Sequence, residues 1–331
     1  MDAGTQATVR TQLQERRQRL EHAISDVGEA PDLVRLLREV DSALKRMDHN
    51  VYGRCDVCRE KVDDDFLLAN PLVTYCLCQL SAEQQALLQN DLDLASRIQW
   101  SLLPRQDLAV AGWETHFRYE PLGAVSGDYC DLVAREGDGG LHFLVGDVSG
   151  KGVAASFVMA HLNATFRSSI DARLPVAEQV ERANRLLIEN RIASHYATMV
   201  CGRAGRDGEV ELCNAGHTPP LLVRGETVEP VRASGLPIGL FGGGSYTTSR
   251  FSMSPGDTLF LYTDGVTETR SPSGEEYGVA RLEALLRARG AGTPHQVARA
   301  CLDDIASFRG TAVRPDDLTV LVLRRTEQEL P

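Results

Sequence analysis

The chain has 331 residues, enough for one large domain and a smaller one, and its 43% hydrophobic and 24% charged content is that of a soluble globular protein. A net charge of −11 argues against a broad nucleic-acid-binding surface, and no apolar run reaches the roughly 18 residues a membrane span needs. The start, Met1-Asp2-Ala3-Gly4-Thr5-Gln6, has no basic-plus-apolar signal region, so the expected location is cytoplasmic, with reduced thiols.

Residues 5–50 read as two helices. In the second, Leu33, Leu36, Leu37, Val40, Leu44 and Met47 recur at three- and four-residue steps and form one apolar stripe. Leu13, Leu20 and Val27 give the first a thinner seam. The turn residues Asp26 to Asp32 lie between them, with Pro31 suited to a first helical turn, so an antiparallel hairpin is expected.

Cys55-Asp56-Val57-Cys58 and Cys76-Leu77-Cys78 follow, seventeen residues apart. Two close thiolate pairs across a short span suit a tetrahedral zinc ion, and four protein ligands leave no open position, which favours a structural role. The other four cysteines, Cys130, Cys201, Cys213 and Cys301, sit among apolar neighbours and read as packing residues. From Asp41 to Leu80 the chain resembles the DksA/TraR zinc-finger family, through Asp41-Ser42-Ala43-Leu44, Tyr52-Gly53-Arg54-Cys55, Asn70-Pro71 and Tyr75-Cys76. It departs in the last pair, where one residue, not two, separates the cysteines. The resemblance implies one structural Zn2+ on Cys55, Cys58, Cys76 and Cys78. It also raises RNA polymerase as a partner through an acidic hairpin tip, here Asp26, Glu29 and Asp32.

Ser81 to Pro104 is helical by pattern, with Leu88, Ala95 and Leu102 spaced by seven and Ile98 between the last two. That spacing fits a short coiled-coil seam, hence a homodimer, or a helix packed on its own domain. Beyond Pro104, strand-like runs alternate with paired helices. Strands are expected at Trp113–Tyr119, Gly127–Ala134, Leu141–Val145, Ala197–Arg203, Glu209–Asn214, Pro220–Arg224, Thr227–Val231, Thr258–Tyr262 and Leu318–Arg324. Helices are expected at Val153–Ile170, Val176–Arg191, Val279–Arg289 and Pro294–Phe308. The turn at Glu136 to Gly140 joins two strands as a hairpin. Hairpins with grouped helices argue for antiparallel sheets covered by helices, an α+β class, and against a doubly wound parallel sheet.

Four acidic sites stand near strand ends: Ser126-Gly127-Asp128-Tyr129, Gly146-Asp147-Val148-Ser149-Gly150, Thr263-Asp264-Gly265-Val266 and Pro315-Asp316-Asp317-Leu318. Each Asp alone reads as a turn former or helix cap. Together they suit Mg or Mn, hard ions that take carboxylate oxygens and keep waters. A metal pair can share a water, lower its pKa and clamp a phosphate for in-line attack. Gly150-Lys151-Gly152 is no phosphate loop, because its glycine spacing is short and Gly152 stands where Ser or Thr is needed.

From about Ile98 to Leu323 the chain resembles the SpoIIE/RsbU branch of the metal-dependent protein phosphatases, the PPM family. The matching blocks are Ser126 to Tyr129, Asp147 to Gly152, Asn214-Ala215-Gly216-His217, Gly235-Leu236-Pro237-Ile238-Gly239, Thr263 to Glu268 and Asp316 to Thr319. The resemblance implies an α-β-β-α sandwich and a serine/threonine phosphoprotein phosphatase with two Mn2+ or Mg2+ ions. In it Asp147 bridges the ions, the Val148 carbonyl is a further ligand, Asp264 and Asp316 bind one ion and Asp128 the other through waters. Asp317 is secondary. Where eukaryotic-type members carry a His two residues after the bridging Asp, this chain has Ser149, which leaves the proton donor unassigned. His217 reads as a metal ligand, a general acid or a turn-stabilising residue. The run Gly239 to Gly244 reads as a flap or a plain connection.

The expected organisation is a hairpin and zinc finger at 1–80, a connecting helix at 81–105 and the phosphatase domain at 106–326. The expected substrate, by resemblance, is a phosphorylated STAS-domain anti-sigma-factor antagonist, with the amino-terminal module in control. The competing class is a non-catalytic regulator, either a polymerase-binding zinc-finger protein or a pseudophosphatase scaffold.

Overall fold

A computed structural model of the chain describes residues 3–27, 31–62, 64, 67, 70–76, 81–110, 112–134, 140–189, 195–232, 235–242 and 245–327. It divides into two compact units, 1–94 and 95–331.

In the first unit, α1 (Ala3–Val27) and α2 (Pro31–Asp48) form the expected hairpin. Val9, Leu13 and Leu20 of α1 and Leu33, Leu36, Val40, Ala43 and Met47 of α2 are buried. The pairs Arg10–Asp48 (2.8 Å) and Arg17–Asp41 (2.7 Å) fix the antiparallel sense. A small cysteine-bearing lobe follows. Its core is Cys55, Val62, Leu67 and Val73, and the Tyr52 hydroxyl donates to the Pro71 carbonyl at 2.7 Å. Helix α3 (Ala82–Leu102) continues from it.

The second unit is built on two antiparallel sheets. One has the order β1-β2-β11-β10-β7-β8 and the other β3-β4-β5-β6-β9. The first holds β1 (Asp107–Val110), β2 (Trp113–Glu120), β7 (Leu221–Arg224), β8 (Thr227–Pro230), β10 (Thr258–Tyr262) and β11 (Leu318–Arg325). The second holds β3 (Tyr129–Ala134), β4 (Gly140–Val148), β5 (Ala197–Gly205), β6 (Glu209–Ala215) and β9 (Ser249–Ser252).

The central strands read as unbroken apolar runs because both of their faces are buried. Leu259 and Leu261 of β10 and Leu321 and Leu323 of β11 enter the core between the sheets, with Leu141, Phe143 and Val145 of β4. The alternate residues Phe260, Tyr262, Val320 and Val322 face α7 (Gly278–Arg289) and α8 (Pro294–Arg309). On the other sheet, Leu144 and Val148 pack against α4 (Val153–Asp171) and α5 (Val176–Glu189). The four layers are helices, sheet, sheet, helices. Gly202 lies opposite Phe143 in the β4–β5 register, where a Cβ would stand 2.2 Å from the Phe143 ring.

The structure adds to or corrects several expectations. Strand β4 runs on through Gly146 and Asp147 to Val148, and does not end before the glycine. Strands β1 and β9 are additional, and a one-turn helix α6 (Asp264–Thr267) starts at Asp264, where a plain strand end is expected. On α3 the expected seam residues Leu88, Ala95 and Leu102 are partly buried, with Leu102 packed into the second unit's core, while Ile98 is exposed and Gln99 is buried. The turn at Glu136 to Gly139, and Gly243 and Gly244 of the glycine run, lie outside the described residues.

Candidate active site

Side-chain alternation brings the carboxylates together. On β4 the residues 141, 143 and 145 face the inter-sheet core, so Asp147 faces it too, at its rim. Cys130 and Leu132 set the same direction for Asp128, just before β3, and Leu321 and Leu323 set it for Thr319 and Asp317 at the start of β11. Asp264 follows the end of β10 and Asp316 precedes β11. Both sheets therefore deliver acid to one end of the sandwich.

Asp128 is buried and spans the two sheets. Its Oδ2 accepts hydrogen bonds from the Thr263 hydroxyl, at 3.0 Å, and from the Thr319 hydroxyl. The backbone N–H of Asp128 donates to Ser126 Oγ at 2.9 Å. Thr263 and Thr319 also pair directly, since Thr319 N donates to Thr263 Oγ1 at 3.0 Å. One oxygen of Asp317 accepts from the Leu122 amide at 2.6 Å, and Asp316 Oδ1 accepts from the Asp317 amide at 2.8 Å.

Two glycines are obligatory here. A Cβ at Gly127 would lie 2.7 Å from the Val148 carbonyl oxygen and 3.4 Å from Asp147 Oδ1. At Gly265 it would lie 1.8 Å from the Asp317 carbonyl oxygen, so only glycine lets α6 close on the strand carrying Asp316 and Asp317.

Burial pushes the Asp147 carboxyl well above the usual carboxylate range, and Asp264, Asp128, Asp316 and Asp317 add to it by repulsion. Asp128 is raised in the same way, by burial first and then by Asp317, Asp316 and Asp264. Asp317 is raised by burial and by Asp316. Crowded carboxylates that repel one another are relieved by a proton or by a cation. Lys151 supplies part of that charge, with its ammonium 2.9 Å from Asp316 Oδ1 and donating to the Pro315 carbonyl at 2.8 Å. An all-oxygen donor set with unmet negative charge fits hard divalent ions. Among the described residues, however, the candidate metal ligands that close to within 4.8 Å of one another in a group of three or more are cysteines, not these aspartates.

The buried Gln99 side chain of α3 was not singled out by pattern. Its Nε2 donates to the Ser126 carbonyl at 2.6 Å, and its Oε1 accepts from the Ser126 amide at 3.0 Å and the Tyr119 hydroxyl at 3.1 Å. This clamp holds the loop that leads into Asp128. A polar residue among Ile98, Trp100 and Leu102 was the available signal.

His217 is buried in the turn after β6. Its amide donates to Asn214 Oδ1 at 2.8 Å, the Asn214 amide group returns a bond to the His217 carbonyl at 3.1 Å, and its Nδ1 pairs with Thr198 Oγ1 at 2.8 Å. Thr198 is the register partner of Asp147. The turn-stabilising reading of His217 describes these contacts. Ser149 is likewise held by structure, its Oγ accepting from the Tyr196 amide at 2.9 Å.

In the first unit the sulfurs of Cys55, Cys58 and Cys76 lie within 4.8 Å of one another, with Cys58 and Cys76 3.3 Å apart. The amides of Cys58, Val57 and Cys76 point at the Cys55 sulfur and draw its thiol down to about 7. Cys55 and Cys58 are free thiols. Cys78 lies outside the described residues, as do Glu29 and the side chains of Asp26 and Asp32.

A family model described as Stage II sporulation protein E (SpoIIE) matches residues 137–326. Protein IcfG of Synechocystis sp. is 25% identical over 264 residues, covering 71% of this chain and 41% of IcfG, so the chain spans less than half of that relative. The phosphoserine phosphatase RsbU of Bacillus subtilis is 23% identical over 72% of this chain and 71% of its own length. The SiaA-PP2C domain of Pseudomonas aeruginosa superposes with a TM-score of 0.64 at 23% identity, over 73% of this chain and 98% of that domain.

Proposed function

Because the chain belongs to the SpoIIE family, we propose that it is a serine/threonine phosphoprotein phosphatase that works with manganese or magnesium. The observation that carries this reading is the delivery of Asp128, Asp147, Asp264, Asp316 and Asp317 to one end of the sandwich, with charge that Lys151 offsets only in part. Two divalent ions, when bound, supply an activated water and a positive clamp for the phosphoryl group. Asp147 would be shared between them and Val148 would offer its carbonyl. Asp264 and Asp316 would hold one ion, with Asp317 secondary, and Asp128 the other through waters.

The remaining work falls to the chain's own contacts. Thr263 and Thr319 aim the Asp128 carboxylate, and the Leu122 amide fixes Asp317. Lys151 would have to yield Asp316 when the centre fills. No buried side chain is assigned as proton donor to the leaving serine.

The named activity of RsbU supports a phosphoserine substrate, and the family resemblance supports a phosphorylated STAS-domain regulator in the cytoplasm. The cysteine lobe would take one structural Zn2+ on Cys55, Cys58, Cys76 and Cys78, which requires Cys76 as thiolate. Residues 1–80 would then be a sensory or docking module, 81–105 its connecting helix and 106–326 the phosphatase domain. The exposed residues Leu87, Leu94 and Ile98, at steps of seven and four, would support a homodimer seam.

The test is a screen of phosphorylated STAS proteins with the full chain. Phosphate release that needs Mn2+ or Mg2+ and stops with chelator is expected. Absence of release from every phosphoserine protein, together with retention of RNA polymerase in a pull-down, would overturn the enzyme reading in favour of a transcription regulator.

A further inference from the structure

A second polar site lies on the opposite face of the sheet that carries Asp316 and Asp317. On β2, Trp113, Phe117 and Tyr119 enter the inter-sheet core, so His116, Arg118 and Glu120 face outward under α8. There they line a cleft of about 340 Å³ with His295, Arg299, Asp303, Arg309 and Arg314, over a floor that includes Ile305 and Leu318. Four arginines face two carboxylates, in a chain whose net charge is −11.

The existing ion pairs do not use this charge fully. Glu120 is engaged mainly by Arg314, at 3.1 Å, and lies 3.9 Å from Arg118. Asp303 sits 3.6 Å from Arg299 on the solvent side of the helix. Arg309 Nε is buried with no hydrogen-bond partner. An unsatisfied guanidinium N–H is costly, and it shows that the protein's own acceptors do not fully neutralise Arg309. The rings of His116 and His295 meet edge-to-face at 4.9 Å, and His116 Nδ1 lies 2.7 Å from Asp107 Oδ1.

We propose that this cleft binds a small phosphate-bearing molecule. Guanidinium forks match phosphate oxygens in pairs, and two or three arginines lining one open cleft select a polyanion of that geometry. The volume suits a mononucleotide-sized ligand more than a folded protein surface. Arg314 also donates to the Pro121 carbonyl, next to Leu122, and stands two residues before Asp316. A ligand that competes with Glu120 for Arg314 therefore touches the loop that carries the aspartates.

The experiment is calorimetric titration of the full chain, without added manganese, with inorganic pyrophosphate. Saturable binding is expected, weakened at least about tenfold by Arg309→Gln and by Arg118→Gln. Asp264→Asn should leave it unchanged. Arg118 is exposed on its strand, so its substitution carries the test if Arg309→Gln fails to fold. Absence of saturable binding, binding indifferent to both arginines, or binding lost in Asp264→Asn would overturn the proposal. Competition separates the sources of phosphate. Displacement of pyrophosphate by a mononucleotide supports a small-molecule ligand, and displacement only by a phosphoserine peptide would overturn that assignment.

Discussion

Gly265 and His217 carry no metal-binding oxygen in the proposed centre, yet both constrain it. With a Cβ 1.8 Å from the Asp317 carbonyl oxygen, Gly265→Ala must force α6 away from β11. We expect a loss of about 3 kcal/mol or more in unfolding free energy, together with loss of phosphatase activity. Denaturant melts and metal-dependent rates check the two parts separately. Burial pushes the His217 imidazole down to about 4, from an ordinary value of 6.5. Between those values the unfolded chain binds the proton and the folded chain does not. The resulting stability is complete above about 6.5 and is lost as pH falls through about 4, for a total of about 3 kcal/mol. His217→Gln should flatten the pH dependence of the denaturation midpoint across that window. An unchanged slope would place the dependence elsewhere.

Within the second unit, helix α3 is held by Leu102 in the core, by the Trp100 ring against Tyr119 and by the buried Gln99 side chain. Gln99→Ala removes three buried hydrogen-bond partnerships around Ser126 and leaves Tyr119 and the Ser126 backbone unsatisfied. A cost of about 1–3 kcal/mol follows. The loop leading into Asp128 should loosen too, so weaker Mn2+ binding in calorimetry is expected beyond the stability loss. Sequence pattern marks the helical character of this segment and its partly buried seam at Leu88, Ala95 and Leu102, but places the exposed Ile98 with them and misses the buried Gln99, because heptad spacing of apolar residues says nothing of a buried polar one. The same contrast runs through the sheets. Strands β10 and β11 were legible because both faces are buried and the apolar run is continuous. Strands β1 and β9 were not, since their burial alternates between partial and exposed at sheet edges. The four aspartates could be picked out because each stands beside a glycine or another aspartate. The threonines that aim Asp128 could not, because they are 135 and 191 residues away in sequence and meet it only after the sheets stack.

Over the whole molecule, each unit has its own buried core, and the second contains three. A fragment beginning at Ser81 should fold with a melting temperature close to that of the same unit in the full chain. If residues 1–80 regulate, the fragment's phosphatase rate should differ from that of the full chain in at least one signal state. Equal rates in every state would remove the regulatory role. Among the described residues no helix is long and apolar enough to cross a membrane. The central proposal is that Asp147 would help hold the two divalent ions needed for phosphoserine hydrolysis at this site. Its most direct test is the initial rate of phosphate release from a phosphoserine protein against manganese concentration, for the full chain and for Asp147→Asn. The account predicts a saturable, manganese-dependent rate that Asp147→Asn reduces by at least about a thousandfold while the fold is retained, a barrier increase of about 4 kcal/mol. A folded Asp147→Asn chain with undiminished manganese-dependent turnover would contradict it.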